Sequence, residues 1–358
     1  MSLPDHAVEC LVVGPFPDPL HGQSVATRDF AETLRRRGCR VAAIDDSGSR
    51  RARFAALRQA LHRVRTAADP CIYLSVNSNL GQMATALLAW QARRAGKLLL
   101  LHHHSFRYIR KWVPIAALLS RAAGEQAMHI VNCPDMGSLL ARRYPRVACV
   151  RSLSNVGSVS DSLRPGRGRT GPVVIGHLSN LTEEKGIGRV VDSMARLAAA
   201  GLEARLAIAG PCSDAFAKRK IAEAEALLGD RFRYYGPVYG EQKAAFFDAI
   251  DIFAFPSLYP TETQGIVNLE ALACGKPVVA FAQCCIRSDI GDLGGLAVEV
   301  GEDYAEQLAS FCKTFMENRK MRSKNARLRF EQLTEIYKDE IALITTTVLE
   351  RLSKAPVS

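Results

Sequence analysis

The 358-residue sequence contains no hydrophobic run that approaches the roughly 18 residues of a membrane-spanning helix. Its start lacks the basic and then apolar pattern of a secretory signal peptide, because Asp5, His6 and Glu9 come first. None of the ten cysteines forms a CxxC pair, a common component of zinc sites. We therefore expect a cytoplasmic protein without a spanning segment and without a bound metal ion.

Two familiar nucleotide-binding patterns are also absent. The strand and loop near the N-terminus carry no GxGxxG, which disfavours a dehydrogenase. The later loop at 178–186 lacks the glycine spacing of a Walker loop. A nucleotide bound by this protein would therefore be held by another arrangement of loops.

The composition is typical of a folded protein, with a hydrophobic share of 48% and 23% charged residues. A chain of this length favours two domains. Residues 1–155 carry 22 Lys and Arg against 10 Asp and Glu, whereas the remainder is nearly neutral. The basic first half indicates an anionic partner, and nucleic acid, an anionic membrane surface and a phosphorylated substrate all fit this charge.

Strand-like apolar runs alternate with amphipathic helical segments in both halves of the chain, which predicts parallel sheets covered by helices. A segment rich in Gly, Ser and Arg at 157–171 separates the halves, and we interpret it as a linker. The predicted fold class is thus α/β, with one domain over 1–160 and a second over 161–324.

Two loops are suited to bind phosphate, because each places backbone N–H groups at the start of a helix. The first loop is rich in proline and reaches Gly22, where a helix begins; a rigid turn without a ligand explains it equally well. The second loop follows a strand through Ser179 and Asn180 and ends in Lys185 and Gly186. It therefore adds a positive side chain to the backbone donors.

Three histidines, His102–His104, directly follow an apolar strand and so lie at the ligand-binding edge of a parallel sheet. Three adjacent residues cannot all face one metal ion, so we favour a role in positioning substrate. Basic and aromatic residues alternate over 106–112, which suits either a headgroup or phosphate contact or a solvated loop. The helix predicted at 50–65 carries six arginines around one apolar face, and either covers a sheet or contacts a membrane surface.

The stretch 257–279 predicts the end of a strand, a polar loop, a buried helix and a second strand. Gly275 and Pro277 stand where that helix should end. Glu262 falls in the loop and Glu270 in the helix, so that both carboxylates can point into one cleft. The structural alternative is an N-cap acid and a buried glutamate that is satisfied by its neighbours.

The pair Glu262-x7-Glu270, followed by Ala-Leu-Ala-Cys-Gly-Lys-Pro-Val-Val, resembles the signature of the retaining GT-B glycosyltransferases of family 4. The loop at Lys185, the glycine-bearing loop at Gly22 and the strand-end histidines resemble further parts of that family, so the likeness extends over nearly the whole chain. The chain departs from the family at two places. No arginine stands shortly before Lys185, and Gln283-Cys284-Cys285 replaces the usual Gly-Gly turn.

The resemblance implies two Rossmann-like domains facing a cleft, with a C-terminal helix over 325–358 that crosses back to the N-terminal domain. It implies an acceptor in the first domain and a nucleotide-diphosphate sugar in the second. Lys185 would bind the diphosphate, Glu270 the ribose hydroxyls, and Glu262 would lie beside the sugar. The residues implied for catalysis are His102 or His104, Lys185 and Glu262; those implied for donor binding are Gly22, Ser179, Asn180, Lys185, Val238, Tyr239, Gln264, Gly265, Ile266 and Glu270.

By this resemblance the protein is a retaining, metal-independent glycosyltransferase that needs no cofactor. Together with the basic first half, it implies a diphospho-lipid or polysaccharide acceptor in cell-surface glycan synthesis, and an enzyme held peripherally at the inner face of the plasma membrane. Nucleic acid is disfavoured as a partner, because the basic residues follow no recognised nucleic-acid-binding fold. The alternatives are a sugar-nucleotide epimerase of GT-B fold and a non-catalytic nucleotide-sugar-binding module.

Overall fold

A computed structural model of the protein describes residues 9–16, 22–67, 69–76, 81–166 and 168–353. The chain divides into two compact units. The first unit comprises Met1–Ser158 and Ile336–Ser358, and the second comprises Val159–Glu335.

The first unit is built on a six-stranded sheet in which every pair of neighbouring strands is parallel. Its strands are Glu9–Gly14 (β1), Arg40–Asp45 (β2), Cys71–Val76 (β3), Leu98–His103 (β4), Met128–Val131 (β5) and Cys149–Ser152 (β6), in the order β2-β1-β3-β4-β5-β6. Its helices are Gly22–Arg36 (α1), Arg50–Thr66 (α2), Gly81–Arg94 (α3), Arg107–Arg110 (α4), Pro114–Ala123 (α5) and Pro134–Arg143 (α6), followed by a 3₁₀ turn at Asn155–Ser158. The nearly unbroken apolar runs of β3 and β4 place these strands inside the sheet, where both faces are covered.

The second unit repeats this design. Its strands are Val173–Leu178 (β7), Ala204–Ala209 (β8), Phe232–Tyr234 (β9), Ile252–Phe255 (β10), Val278–Phe281 (β11) and Gly295–Val298 (β12), in the order β12-β11-β10-β7-β8-β9. Its helices are Ile187–Ala199 (α7), Ala215–Leu228 (α8), Gly240–Asp248 (α9), Ile266–Ala273 (α10), Ile286–Ile290 (α11) and Tyr304–Glu317 (α12), with a 3₁₀ turn at Gly229–Arg231. The order of strands reverses at β7, which pairs with both β8 and β10. Loops at the carboxyl ends of β7 and β10 therefore flank the position where open α/β sheets bind ligands.

Local sequence explains where several helices begin. The side chain of Ser49 accepts a hydrogen bond from the backbone of Ala52 at the start of α2, and Asp214 accepts one from Ala217 at the start of α8. Proline occupies the first turn of α5 and of α6, where its missing N–H costs nothing.

Several elements differ from the sequence-based expectation, since the helices α4, α5, α6 and α11 were not predicted. Strand β12 was not predicted, because Gly295–Val298 is too short to produce a clear alternating pattern. The last helix, Arg319–Ser353 (α13), begins at Arg319 rather than near 325. Its residues from Ile336 onward belong to the first unit, as the predicted crossing of the C-terminal helix requires. There Ile341, Ile344 and Val348 join the buried cluster that includes Phe30 and Tyr73.

Across the described ranges, no helix combines the length and the apolarity that crossing a bilayer would require.

Candidate functional site

The candidate site lies in the second unit, where the loops after β7 and β10 contact one another. Gly186 has a φ of +92°, and a Cβ built on it would lie 2.4 Å from the carbonyl oxygen of Pro256. Only glycine allows so close an approach of two backbone segments with a left-handed conformation. The loop that carries Lys185 is therefore held directly against the loop that carries Glu262.

Lys185 and Glu262 form an ion pair between these loops. The Lys185 Nζ donates to the Glu262 Oε2 over 2.5 Å, and the Ser257 hydroxyl donates to the same oxygen over 3.3 Å. The ammonium also lies 4.5 Å from the ring centre of Tyr259. Both charged side chains are mostly shielded from solvent, so an anion that binds here competes with the Glu262 carboxylate for a poorly hydrated ammonium.

Glu270 forms a second ion pair with Lys243 of α9. The Lys243 Nζ donates to the Glu270 Oε1 over 2.8 Å, whereas the buried Oε2 has no hydrogen-bond partner among the residues that the structure describes. Burial raises the pKa of the Glu270 carboxyl, and the neighbouring ammonium opposes that rise. A buried acceptor oxygen without a donor is costly, and a ligand hydroxyl would satisfy it.

Lys243 was not predicted as a site residue. It is the single lysine of α9, in the sequence Gly-Glu-Gln-Lys-Ala-Ala-Phe-Phe-Asp, and a lone positive charge on a short helix gives no functional signal. The tertiary contact with Glu270 is what identifies it.

The segment Gln264–Ile266 forms the entry to α10. Gly265 has a φ of +62°, and a Cβ there would lie 2.9 Å from the Asn268 Nδ2 and 3.0 Å from the ring of Phe255. The first N–H groups of a helix have no partner within it and favour an anion. The N–H groups of this segment thus lie after the carboxyl end of β10, and their role in donor binding stays a prediction.

The side chain of Gln264 points into the protein instead of toward a ligand. It is fully buried, and its Nε2 donates to the Asp289 Oδ1 over 3.0 Å. Burial raises the pKa of the Asp289 carboxyl to about 7, against the opposing effects of the Gln264 hydrogen bond and of Arg329. Asp289 was not predicted as a site residue, and it fixes the loop that precedes α10.

Cys284 shows how the chain replaces the family's Gly-Gly turn. Its φ is 45°, and no other non-glycine residue in the described ranges has a positive φ. A left-handed conformation is strained for most side chains, which explains why glycine usually occupies such a turn. Cys284 therefore adopts at this turn a backbone conformation that glycine adopts more readily.

Ser179 and Asn180 follow β7 and differ in what they can offer. The His177 Nδ1 donates to the Ala254 carbonyl and its Nε2 accepts from the Ser179 hydroxyl, each over 2.9 Å. Burial lowers the pKa of His177 to about 4, so the ring is neutral and can accept in this way. The hydroxyl of Ser179 is thus used inside the protein, while Asn180 is exposed.

Val238 and Tyr239 directly precede α9, which carries Lys243. Val238 is buried, whereas the Tyr239 side chain is 62% exposed. Both residues were predicted to line a nucleotide base. Of the two, only Tyr239 is exposed to solvent.

The predicted site residues of the first unit lie on its own sheet edge. Gly22 is the first residue of α1, and residues 17–21 of the loop before it lie outside the described residues. A Cβ at Gly22 would meet no described atom within 4 Å, so the protein itself does not require glycine there.

The strand-end histidines have different environments. His102 is buried, and its Nδ1 lies 2.7 Å from the hydroxyl of Tyr73; burial and the neighbouring histidines lower its pKa well below the usual range. His104 is partly exposed, and its ring centre lies 4.0 Å from that of His102. His103 is buried and lies 2.8 Å from the Tyr108 hydroxyl and 2.9 Å from His129. His104 is therefore the least buried of the three, although its Nε2 is buried and the ring of His102 lies beside its own.

The sequence of the second unit is similar to that of a known protein family. Residues 161–329 match the model of the family described as glycosyl transferases group 1. The 2-deoxystreptamine glucosyltransferase of Streptomyces kanamyceticus is 31% identical over 147 residues, which are 41% of this chain and 35% of that protein. The matched part thus spans about a third of the length of this curated relative.

Solved structures match nearly the entire chain. The sucrose-phosphate synthase of Thermosynechococcus elongatus superposes with a TM-score of 0.72 at 19% identity, covering 98% of this chain and all of that one. The Anabaena protein HepE in complex with UDP-glucose superposes with a TM-score of 0.68 at 18% identity, covering 96% of this chain and 99% of that one. Such low identities establish the fold. Residues 161–329, somewhat less than half of the chain, are thus similar to the glycosyl transferases group 1, and the fold of the chain is that of the GT-B glycosyltransferases.

Proposed function

We propose that this protein is a glycosyltransferase that moves a sugar from a nucleotide-diphosphate sugar to an acceptor. The observation that carries the proposal is Glu270, a buried carboxylate with one oxygen fixed by Lys243 and the other lacking a hydrogen-bond partner among the described residues. A ribose diol supplies the hydroxyl donor that this oxygen lacks. The family match of the surrounding domain supports the same assignment.

The diphosphate of the donor would bind between Lys185 and the first turn of α10. Lys185 offers a positive charge, and the N–H groups at 264–266 offer donors that carry no counter-charge. HepE, which has the same fold, binds UDP-glucose, which supports a nucleotide sugar as the ligand class. Tyr239 would contact the base, and its exposure next to the start of α9, the helix of Lys243, supports this proposal.

The chemistry follows from where charge develops. As the bond from sugar to diphosphate breaks, negative charge grows on the leaving phosphate oxygen, and Lys185 stabilises it. We propose that this charge replaces a metal ion in the reaction. Glu262 would lie next to the reacting sugar, since it is bonded to the same ammonium. Retention of the anomeric configuration by front-side attack then needs no protein nucleophile.

The acceptor would bind to the first unit, near His104. The net positive charge of residues 1–155 favours an anionic acceptor, and a diphospho-lipid intermediate of cell-surface glycan synthesis combines such charge with a membrane location. We propose that the enzyme works at the cytoplasmic face of the membrane as a peripheral protein.

A donor panel tests this proposal. The protein is incubated with UDP-, GDP-, ADP- and TDP-sugars, with and without lipid-linked acceptors, and release of nucleotide diphosphate and transfer of sugar are measured. We expect one donor to support transfer, and Glu270→Ala to abolish it at subsaturating donor. Release with an epimerised sugar and no acceptor would instead identify an epimerase, and tight binding without release or transfer would identify a non-catalytic module.

A further inference from the structure

Six large apolar side chains are exposed on neighbouring helices of the first unit. They are Phe54 of α2, Met83, Leu87 and Trp90 of α3, Trp112 before α5, and Leu118 of α5, each between 43% and 63% exposed. Both tryptophans of the protein are among them. Single exposed apolar residues are ordinary, but a group of six on adjacent elements marks an interaction surface.

These residues share one continuous surface, because α3 packs against both α2 and α5. The Gln91 Nε2 donates to the Leu61 carbonyl of α2 over 3.0 Å, and the Arg93 guanidinium donates to the Arg121 carbonyl of α5 over 3.1 Å. Met83, Leu87 and Trp90 follow one another at the spacing of a single helix face. We call the exposed side of α2, α3 and 112–121 the basic-apolar face.

The charge of this face has a single sign. Residues 47–124 contain thirteen lysines and arginines and one acid, Asp69. Asp69 is buried and paired with Arg63 over 2.8 Å, so it offers no negative charge to the surface. On α2, Arg51, Arg58 and Arg65 recur every seven residues and are exposed, with Phe54 on the same side. The guanidinium of Arg94 lies 5.1 Å from the ring centre of Trp90.

The combination of aliphatic, indole and guanidinium groups decides which partner fits. Nucleic acid would use the arginines and could stack on the aromatic rings, but it offers no apolar layer for Met83, Leu87 and Leu118. An anionic bilayer fits all three kinds of group: aliphatic side chains enter the acyl boundary, tryptophans sit at the headgroup level, and arginines pair with lipid phosphates.

We propose that the basic-apolar face docks the protein on a bilayer that contains anionic phospholipid. This proposal names the surface through which the proposed glycosyltransferase would contact the membrane. It rests on the proposed function only for the reason that the protein would bind a membrane at all. The basic-apolar face belongs to the first unit, whereas the proposed donor-binding residues Lys185, Glu262 and Glu270 belong to the second. Membrane binding and donor binding can therefore be measured separately.

Intrinsic fluorescence is a direct test, since both tryptophans lie on the proposed face. The full-length protein is titrated with vesicles of phosphatidylcholine alone and of phosphatidylcholine mixed with phosphatidylglycerol, and sedimentation with the vesicles is measured in parallel. We expect a blue shift of the tryptophan emission and sedimentation only with the anionic vesicles, both reduced by salt. Unshifted emission with the anionic vesicles, or equal binding to single-stranded RNA that the vesicles do not displace, would overturn the proposal.

Variants locate the contact. Replacing Arg51, Arg58 and Arg65 together by Gln should weaken binding to anionic vesicles on the order of a hundredfold, at about fivefold for each arginine. The matched control replaces three exposed arginines of the second unit, Arg205, Arg219 and Arg233, by Gln, and should bind vesicles like the wild type. Equal loss in both triple variants would mean that net charge alone drives binding, which contradicts a defined face.

An apolar series completes the design. Phe54→Ser, Met83→Ser and Leu118→Ser combined should abolish the blue shift, whereas Leu227→Ser, Met316→Ser and Met321→Ser combined, which change exposed residues of the second unit, should not. Thermal melting and affinity for the nucleotide diphosphate should match the wild type in all variants. A variant that loses vesicle binding but retains donor affinity leaves the proposed function intact.

Discussion

The Nζ of Lys185 lies 2.5 Å from the Oε2 of Glu262, although the two residues are 77 positions apart in the chain. The lysine charge is therefore neutralised until an anion competes for it. Lys185→Ala should weaken binding of the nucleotide diphosphate 10- to 100-fold, since a hydrogen bond to a charged group contributes about 1.5–3 kcal/mol. Glu262→Gln releases the lysine, so it should bind the nucleotide diphosphate at least as tightly as the wild type while transfer slows. Calorimetry and initial rates separate these effects, and weaker binding in Glu262→Gln would contradict the assigned roles.

Glu270 provides a second test through its Oε2, which has no hydrogen-bond partner in the part of the chain that the structure describes. Glu270→Gln keeps the shape of the side chain but loses the charge that pairs with Lys243, so donor affinity should fall about tenfold or more. Glu241→Gln is the control, because Glu241 lies on the same helix as Lys243 and is exposed. Unchanged donor affinity in Glu270→Gln, with unchanged melting temperature, would remove Glu270 from the site.

The two predicted catalytic histidines should respond differently to substitution. His104→Ala should slow transfer by at least tenfold without weakening donor binding, because the proposed acceptor site lies in the first unit, which carries His104, and the proposed donor site lies in the second. His102→Ala removes one of the side-chain hydrogen bonds of the buried Tyr73 hydroxyl, which also bonds Thr27, and should lower the free energy of unfolding by about 1–3 kcal/mol. Denaturation curves and rates distinguish the two; equal loss of stability in both variants would argue against a role for His104 in transfer.

Gly186 and Gly201 form a matched pair for the loop contact. Both have a positive φ, +92° and +74°, but a Cβ at Gly186 would meet the Pro256 carbonyl, whereas one at Gly201 would meet no described atom within 4 Å. Gly201→Ala should cost about 1–2 kcal/mol of unfolding free energy from its backbone conformation alone. Gly186→Ala should cost clearly more and should also weaken nucleotide-diphosphate binding by moving Lys185. Equal costs would show that the approach of the two loops is not tight.

Asp289 should make stability depend on pH. Burial raises its pKa from 3.8 to about 7, so the folded protein binds this proton more tightly than the unfolded chain does. This carboxyl therefore contributes stability that is complete below about pH 4 and is lost as the pH rises through 7. Asp289→Asn should remove that dependence and be more stable than the wild type at pH 8 by a few kcal/mol.

Urea denaturation at pH 5 and pH 8 measures this difference. Asp292→Asn is the control, since Asp292 lies nearby in the chain and is exposed. The measured quantity is the difference in unfolding free energy between the wild type and Asp289→Asn. If this difference is the same at pH 5 and pH 8, the pKa of Asp289 is not raised by burial and the prediction is wrong.

The strands and most helices could be predicted because their signals are local. Runs such as Cys71–Val76 and Leu98–Leu101 have the length and apolarity of buried strands, and glycine or proline follows helices such as α10. Strand β12 was missed because four residues are too few to carry a period. The start of α13 was placed too late because polar residues at 319–325 give no apolar face to follow.

The sequence by itself determined the α/β class, the family resemblance and the candidate site residues Lys185, Glu262, Glu270 and the strand-end histidines. The pairing of Lys185 with Glu262, the contacts of Lys243 and Asp289, and the deeper burial of His102 than of His104 were decided only by the tertiary structure. Hydrophobic periodicity is a local signal: it indicates which face of a helix or strand is buried, from residues that are close together in the chain. Ion pairs and burial of polar atoms depend on which loops the sheet order brings together, and a strand order that reverses at β7 leaves no local trace.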